Sequence, residues 1–239
     1  MDFTYNSFKN LINTLLKNNF IFCDYTNYLK FYKSVIMRHD IDFSLEKALE
    51  IAKIESNMGV KSTFFLLITS NFYNVFSLEA EKIIREIISL NHKIGLHFDE
   101  TRYDNNDFNL LIHKEIKLLE DFYRIKVDCV SFHRPSNSSL INNYDFGNII
   151  NSYSNTYFKE MLYVSDSRRN WKMDVINIIK TKSILRLHLL THPIWYSDIS
   201  KDLALILNEF ANERKISTIN SIKKNIRNSD DIFRSEGIN

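Results

Sequence analysis

The sequence predicts an α/β protein in which a parallel β-sheet is covered by helices. Short apolar segments, rich in β-branched and aromatic residues, alternate along the chain with segments of helical periodicity. Such strands are typical of a parallel sheet buried on both faces. Ionisable residues follow the strands, as functional groups do at the carboxyl ends of parallel strands. These observations leave open whether the sheet is an open doubly wound sheet or a closed barrel.

Five segments fit the pattern of a buried strand. Each is short, apolar and β-branched or aromatic. The predicted strands are residues 34–37, 62–68, 93–98, 127–132 and 184–191.

Four segments have helical patterns. In the first, Ser44 can cap a helix whose apolar residues recur at i, i+3, i+4 and i+7, with Glu46 in the first turn, where an acid is favourable. Apolar residues at helical spacing mark three more helices, within residues 83–88, 108–122 and 203–226.

Ionisable residues lie after the strands rather than before them. Randomly placed surface charges would lie equally often at strand starts, so this one-sided placement indicates an active site. The clusters are residues 38–42, His97 with Asp99, His133 with Arg134, Asp166 after the apolar segment YVS, and His192.

The composition is that of a single globular domain, residues 1–239, with 44% apolar and 25% charged residues. A net charge of +2 argues against a nucleic-acid partner. The longest fully apolar run, residues 64–68, is too short to span a membrane, and the amphipathic N-terminus lacks the features of a secretory signal. We therefore expect a cytoplasmic protein without a membrane span. Nothing in the sequence indicates an oligomeric state.

Asp40 and Asp42 are two residues apart, so on a continuing strand both carboxylates face the same side. Two adjacent carboxylates repel each other unless a cation lies between them. A metal ion resolves this by binding one carboxylate and leaving the other free to accept a proton. His97 is a suitable second ligand, because carboxylate and imidazole together suit Zn²⁺, with cobalt, nickel or manganese as alternatives.

A metal site of this kind makes hydrolysis of an ester or amide accessible. An amide also needs a general acid that protonates the leaving amine, and His192 can supply it. Arg134 can hold the base carboxylate through a charge-assisted hydrogen bond, and Asp166 can orient His192.

Each of these residues also has a purely structural interpretation. The Asp40 and Asp42 pair can be an acidic cluster at a helix N-terminus, bridged to Arg38. A lone histidine such as His97 is more often a hydrogen-bonded residue at a strand end. Arg134 can bridge to a surface acid, and Asp166, which is followed by Arg168 and Arg169, can lie in a solvated turn.

The order of the clusters resembles the motifs of the polysaccharide deacetylases, carbohydrate esterase family 4, in particular a cytoplasmic branch associated with surface-polysaccharide biosynthesis. RHDID, residues 38–42, resembles the first motif and implies that Asp40 is the catalytic base and Asp42 a metal ligand, although here Ile41 separates two residues that are adjacent in the usual pattern. NHKIGLHFDE, residues 91–100, resembles the second motif and implies that His97 is a ligand.

Three further motifs complete the resemblance, which spans residues 34–195. HRP, residues 133–135, resembles the third and implies that Arg134 orients the base. SDSRRNW, residues 165–171, resembles the fourth and places Asp166 and Trp171 in the pocket. LLTHP, residues 189–193, resembles the fifth and implies that His192 is the acid.

One departure from the family pattern affects the metal site. The usual second motif has another histidine four residues after the first, and that position is Thr101 here. His133 is our preferred replacement ligand, and Asp99 is the alternative.

The resemblance implies a distorted (β/α) barrel with about seven strands. It also implies a metal-dependent hydrolase that removes acetyl groups from N-acetylated sugars by cleaving an amide bond that is not a peptide bond. For a cytoplasmic enzyme we expect a nucleotide-linked or lipid-linked carbohydrate as substrate. Trp171 and Trp195 can form an apolar platform for sugar rings; more conservatively, they cover the mouth of the barrel.

Two alternative functions remain open. The missing second-motif histidine favours a catalytically silent carbohydrate-binding protein on the same fold. A hydrolase of another non-peptide C–N bond, such as a cyclic amide or formamide, would keep the metal.

Overall fold

The computed structural model describes residues 1–103, 107–181 and 184–229. The chain divides into two compact units, Met1–Ser200 and Lys201–Asn239. The first unit contains the sheet and every candidate site residue, and the described part of the second is mainly one long helix. The single-domain organisation over residues 1–239 stays a prediction. Within the described ranges, no helix combines the length and the apolar character that crossing a membrane requires.

Strands and helices alternate through the first unit. The strands are β1 (Ile21–Cys23), β2 (Ser34–Ile41), β3 (Thr63–Leu66), β4 (Lys93–Phe98), β5 (Cys129–Phe132), β6 (Ile150–Asn151), β7 (Leu162–Ser165) and β8 (Arg186–Thr191). The helices are α1 (Tyr5–Lys17), α2 (Leu45–Asn57), α3 (Leu78–Ser89), α4 (Phe108–Tyr123), α5 (Asn137–Ile141), α6 (Val175–Thr181) and, in the second unit, α7 (Leu203–Asn225).

Across the described residues, the sheet follows the order β6-β5-β4-β3-β2-β8-β7, and β1 pairs with the beginning of β2. All of these strand pairs are parallel. The seven strands of this path curl into a half-barrel with helices around it. The predicted α/β fold, a distorted (β/α) barrel of about seven strands, is confirmed.

All five predicted strands are present, but β2 is four residues longer than the sequence indicated. Its polar end stays in the sheet because residues 38–41 pair with β3 on one side, and residues 34–39 pair with β8 on the other. Every residue of β2 is buried. Three strands are not among the five predicted ones: the short strands β1 and β6, with three and two residues, and β7, which contains the apolar segment YVS before Asp166.

Helix α2 begins as predicted. Ser44 is its N-cap and accepts a hydrogen bond from the Lys47 backbone N–H at 3.2 Å. Since β2 ends at Ile41 and the helix begins at Leu45, Asp42 lies in the short connection at the carboxyl end of the sheet.

A buried polar cluster lies on the helix-covered face of β2. The two ring nitrogens of His39 lie 2.6 Å from Thr191 Oγ1 and 2.9 Å from Glu55 Oε1. Ser62 donates a further hydrogen bond to Glu55. The cluster therefore ties β2 to β8 and to α2. Since neighbouring residues of a strand face opposite sides, Arg38 and Asp40 point to the interior of the half-barrel.

Glu115 on α4 gives a prediction about stability. This side chain is buried; one carboxylate oxygen accepts a hydrogen bond from the Tyr103 hydroxyl, and the other has no partner among the described residues. Burial raises the pKa of Glu115 to about 7; the Tyr103 hydrogen bond opposes this, and the charge of Asp99 adds to it. The folded protein therefore holds a proton that the unfolded chain releases at lower pH.

We expect Glu115 to cost stability as pH rises from about 4.5 to about 7, by about 3 kcal/mol in the free energy of unfolding. Below this window both states are protonated and the cost vanishes. The Glu115→Gln variant should lose this part of the pH dependence, measured by urea unfolding across the window. Asp121→Asn, at an exposed position of the same helix, is the control and should keep the wild-type slope. Identical slopes for Glu115→Gln and wild type would contradict the prediction.

Candidate active site

A pocket of about 590 Å³ opens at the carboxyl ends of the strands. Its lining combines acidic, basic and imidazole side chains with a few aromatic ones. Seven of the residues singled out in the sequence line it: Asp40, Asp42, His97, His133, Arg134, His192 and Trp195. They come from the ends of β2, β4, β5 and β8, so the strand-end clusters do meet in space.

Asp42, His97 and His133 form the centre of this site. The Asp42 Oδ1 atom lies 3.0 Å from His97 Nε2 and 3.2 Å from His133 Nδ1. The two ring nitrogens are 3.3 Å apart. Ligands bound to Zn²⁺ at about 2.0–2.2 Å in tetrahedral geometry lie roughly 3.3–3.6 Å from one another. The three atoms therefore fit a small divalent cation, and their chemistry is that of a zinc-type site.

The orientation of His97 supports a role as ligand. Its Nδ1 atom lies 2.7 Å from the Ser131 hydroxyl oxygen, and that hydroxyl donates to Asp40 Oδ1 at 3.4 Å. Since the hydroxyl proton is used toward Asp40, Ser131 accepts from the Nδ1–H of His97. The unprotonated Nε2 then faces Asp42 and His133, as a metal ligand requires.

Asp40 is held by Arg38. The guanidinium donates to Asp40 Oδ2 at 3.0 Å and to the Tyr153 hydroxyl at 2.9 Å, and it lies over the Tyr153 ring. Arg38 is fully buried, and Asp40 is only 2% exposed. The ion pair with Arg38 that the structural interpretation of the sequence suggested is therefore present.

Arg134 does not make the contact that the sequence suggested. Its side chain is exposed at the pocket mouth and forms no hydrogen bond or ion pair with any described residue. Arg38 takes the place next to Asp40 because the two residues share a face of β2, a parity that the sequence already contains.

His192 lines the pocket and is paired with Asp166, which is fully buried and does not itself line the pocket. His192 Nδ1 lies 2.6 Å from Asp166 Oδ1, and the fully buried carboxylate also accepts from the His192 backbone N–H at 3.0 Å and from the Tyr196 hydroxyl at 3.2 Å. Burial alone would lower the pKa of His192, but the hydrogen bond and charge of Asp166 raise it to about 9. The Nε2 atom lies 3.9 Å from Asp42 Oδ2, so it faces the group formed by Asp42, His97 and His133.

The third atom of this cluster comes from His133 rather than from Asp99. The Asp99 carboxylate instead accepts hydrogen bonds from the backbone N–H and the hydroxyl of Thr101, at 3.0 and 2.7 Å. Thr101 itself is exposed in a short turn.

The two tryptophans differ in their placement. Trp195 is buried in the pocket wall, and its ring lies 6.3 Å from that of His192. Trp171 is not among the described residues that line the pocket. Tyr153 and Arg168, which do line it, were not singled out from the sequence.

Comparisons with known proteins give structural similarities only. No family model matches the chain, and no curated protein does. A pseudoenzyme of carbohydrate esterase family 4 from Bacillus anthracis is similar with a TM-score of 0.46 and 16% identity, over 76% of this chain and 64% of that one. The chain thus spans less than two thirds of the length of that protein.

Two other solved structures are similar at the same level. Peptidoglycan deacetylase PdaC from Bacillus subtilis has a TM-score of 0.46 and 14% identity, over 85% of this chain and 97% of that one. A polysaccharide deacetylase from Bacillus cereus has a TM-score of 0.46 and 18% identity, over 78% and 89%. The function of this chain therefore has to be inferred from its own residues.

Proposed function

We propose that this protein is a metal-dependent hydrolase that removes an acetyl group from an N-acetylated sugar or a sugar-linked intermediate. One observation carries the proposal. Three metal-ligating atoms, a carboxylate held by Arg38 and an imidazole held by Asp166 all belong to one pocket. Together with a bound divalent ion these groups can hydrolyse an amide, and the sequence motifs that resemble the polysaccharide deacetylases contain them in order.

Asp42, His97 and His133 would hold the cation, with zinc preferred by the ligand set and cobalt, nickel or manganese as alternatives. When bound, a divalent ion polarises the amide carbonyl and lowers the pKa of water. Ser131 keeps His97 in the tautomer that this role needs.

Two groups of the chain would handle the protons. Asp40, fixed by Arg38, accepts the proton of the attacking water. His192 gives a proton from Nε2 to the leaving amine, because its Nδ1 is held by Asp166. An amine leaves poorly without protonation, so the acid is as necessary as the base.

The substrate is proposed to be a carbohydrate, nucleotide-linked or lipid-linked, processed in the cytoplasm. Trp195 offers an aromatic surface beside His192 on which a sugar ring can rest.

Metal content and acetate release test the proposal together. We expect purified protein to contain about one zinc or related ion per chain by elemental analysis. It should release acetate from at least one member of a panel of N-acetylated sugars and their phosphate-linked forms, and chelation should abolish the release until metal is restored. Protein that binds no metal and is not stabilised by any added divalent ion would instead favour a silent carbohydrate-binding function.

The ligand role of His133 gives a prediction of its own. Adding Zn²⁺ at about 100 times its Kd to chelator-treated wild type should raise Tm by about 5–10 °C, because metal binds only the folded state. His133→Ala should lose most of this shift. His113→Ala, which removes a histidine from α4, should keep it. An unchanged shift in His133→Ala would remove His133 from the metal site.

A further inference from the structure

Two arginines at the mouth of the pocket have no role in the proposed chemistry. Arg134 follows β5, and Arg168 follows β7, so they reach the pocket from separate loops. Both side chains are exposed, and neither forms a hydrogen bond or ion pair with a described residue. By contrast, the guanidinium of Arg38 lies fully buried against Asp40.

The charge of these two arginines is not balanced within the pocket. Of the described residues that line it, only Asp40 and Asp42 are acidic. Asp40 is paired with Arg38, and Asp42 lies with His97 and His133 in the candidate metal site. A bound divalent cation would make the pocket still more positive. An electropositive pocket mouth of this kind attracts and holds an anion.

The presence of two arginine side chains, rather than one, favours phosphate as the anion. A carboxylate carries a single negative charge, whereas a phosphate monoester carries about −1.5 to −2 near neutral pH and offers three outer oxygens, so it matches two guanidiniums in charge as well as in acceptors. Two arginines on different loops that face one pocket therefore suit a phosphate group better than the carboxylate of an acidic sugar.

We propose that Arg134 and Arg168 bind a phosphate group of the substrate, so that the protein acts on an acetamido sugar carrying a phosphate or diphosphate ester rather than on an uncharged polysaccharide. The acetamido part rests on the proposed function, and the anion site does not.

Calorimetric binding to the metal-loaded protein tests the anion site. The probes are N-acetylglucosamine 1-phosphate and the uncharged methyl glycoside of N-acetylglucosamine. We expect the phosphate compound to bind at least about tenfold more tightly, since a charge-assisted hydrogen bond is worth about that factor. Arg134→Gln and Arg168→Gln should each lose about tenfold in affinity for the phosphate compound and little for the methyl glycoside.

Arg124→Gln is the matched control. Arg124 is also exposed, and its φ of 57° is left-handed like the 49° of Arg134 and 59° of Arg168, but it ends α4 and does not line the pocket. This variant should bind like wild type. Equal affinity of wild type for the two probes, no binding of the phosphate compound, or the same loss in Arg124→Gln would each overturn the proposal.

Two further arms distinguish the source of the phosphate and separate this inference from the proposed activity. A uridine diphosphate-linked and a short polyprenyl diphosphate-linked N-acetylglucosamine are compared, and the tighter ligand identifies a nucleotide or a lipid carrier. Arginine-dependent binding without acetate release would keep the anion site and remove the deacetylase. Equal acetate release from charged and uncharged sugars, unchanged in both pocket variants, would keep the deacetylase and remove the anion site.

Discussion

Asp40→Asn is expected to lower kcat for acetate release by roughly 10²–10⁴-fold, the contribution typical of a general base. The amide oxygen of asparagine can still accept a hydrogen bond from Arg38, with the NH₂ group on the side of Ser131, but the amide cannot take a proton from water. Metal content should be unchanged, because Asp42, His97 and His133 are intact. Acetate release and elemental analysis on the same preparation measure both effects.

The loss of charge at Asp40 also affects the fold. The buried Arg38 guanidinium loses its counter-charge, so we expect the free energy of unfolding to fall by about 2 kcal/mol. Assays therefore need to be run well below the Tm of the variant, and Asp121→Asn serves as the control for an exposed aspartate. Wild-type turnover in folded, metal-loaded Asp40→Asn would overturn the mechanism.

His192→Ala is expected to lower kcat for an acetamido sugar by a similar factor, roughly 10²–10⁴-fold. The leaving amine then has no proton donor, since the Nε2 atom that faces Asp42 is gone. An acetyl ester with a good leaving group, such as 4-nitrophenyl acetate, does not need that proton. Hydrolysis of this ester should fall far less, and the ratio of the two losses is the measurement.

The comparison of substrates separates an acid from a structural residue. A loss of packing around Asp166 would lower both activities together, and His113→Ala should lower neither. Equal losses on the amide and the ester would mean that His192 does not act as the acid. Full activity on the amide would remove it from the mechanism.

The sequence predicted the fold well because the strand pattern is local. Buried parallel strands are apolar runs, and the five that were predicted form most of the half-barrel. The end of β2 was placed too early, at Met37, because Arg38, His39 and Asp40 look like loop residues. Their burial depends on partners such as Glu55 and Tyr153, which are distant in sequence.

The sequence predicted seven of the residues that line the pocket, but not all of the contacts between them. Strand ends on one side of a parallel sheet must meet, so the cluster of Asp42 and His97 follows from the element pattern. The choice between His133 and Asp99 depends on the conformations of two loops. In the structure the Asp99 carboxylate accepts a hydrogen bond from the Thr101 hydroxyl. Arg134 was assigned to Asp40 by its charge and by the resemblance, whereas the position of Arg38 two residues before Asp40 on the same strand was the better guide.

The contacts on the two faces of β2 fix the number of residues in this strand. Arg38 and Asp40 serve the pocket, while His39 between them is locked to Thr191 and Glu55 on the opposite face. Inserting or deleting one residue between 34 and 41 would turn Asp40 toward the helices and an imidazole into the interior. Length variation in homologous chains should therefore spare this segment and accumulate in the surface loops.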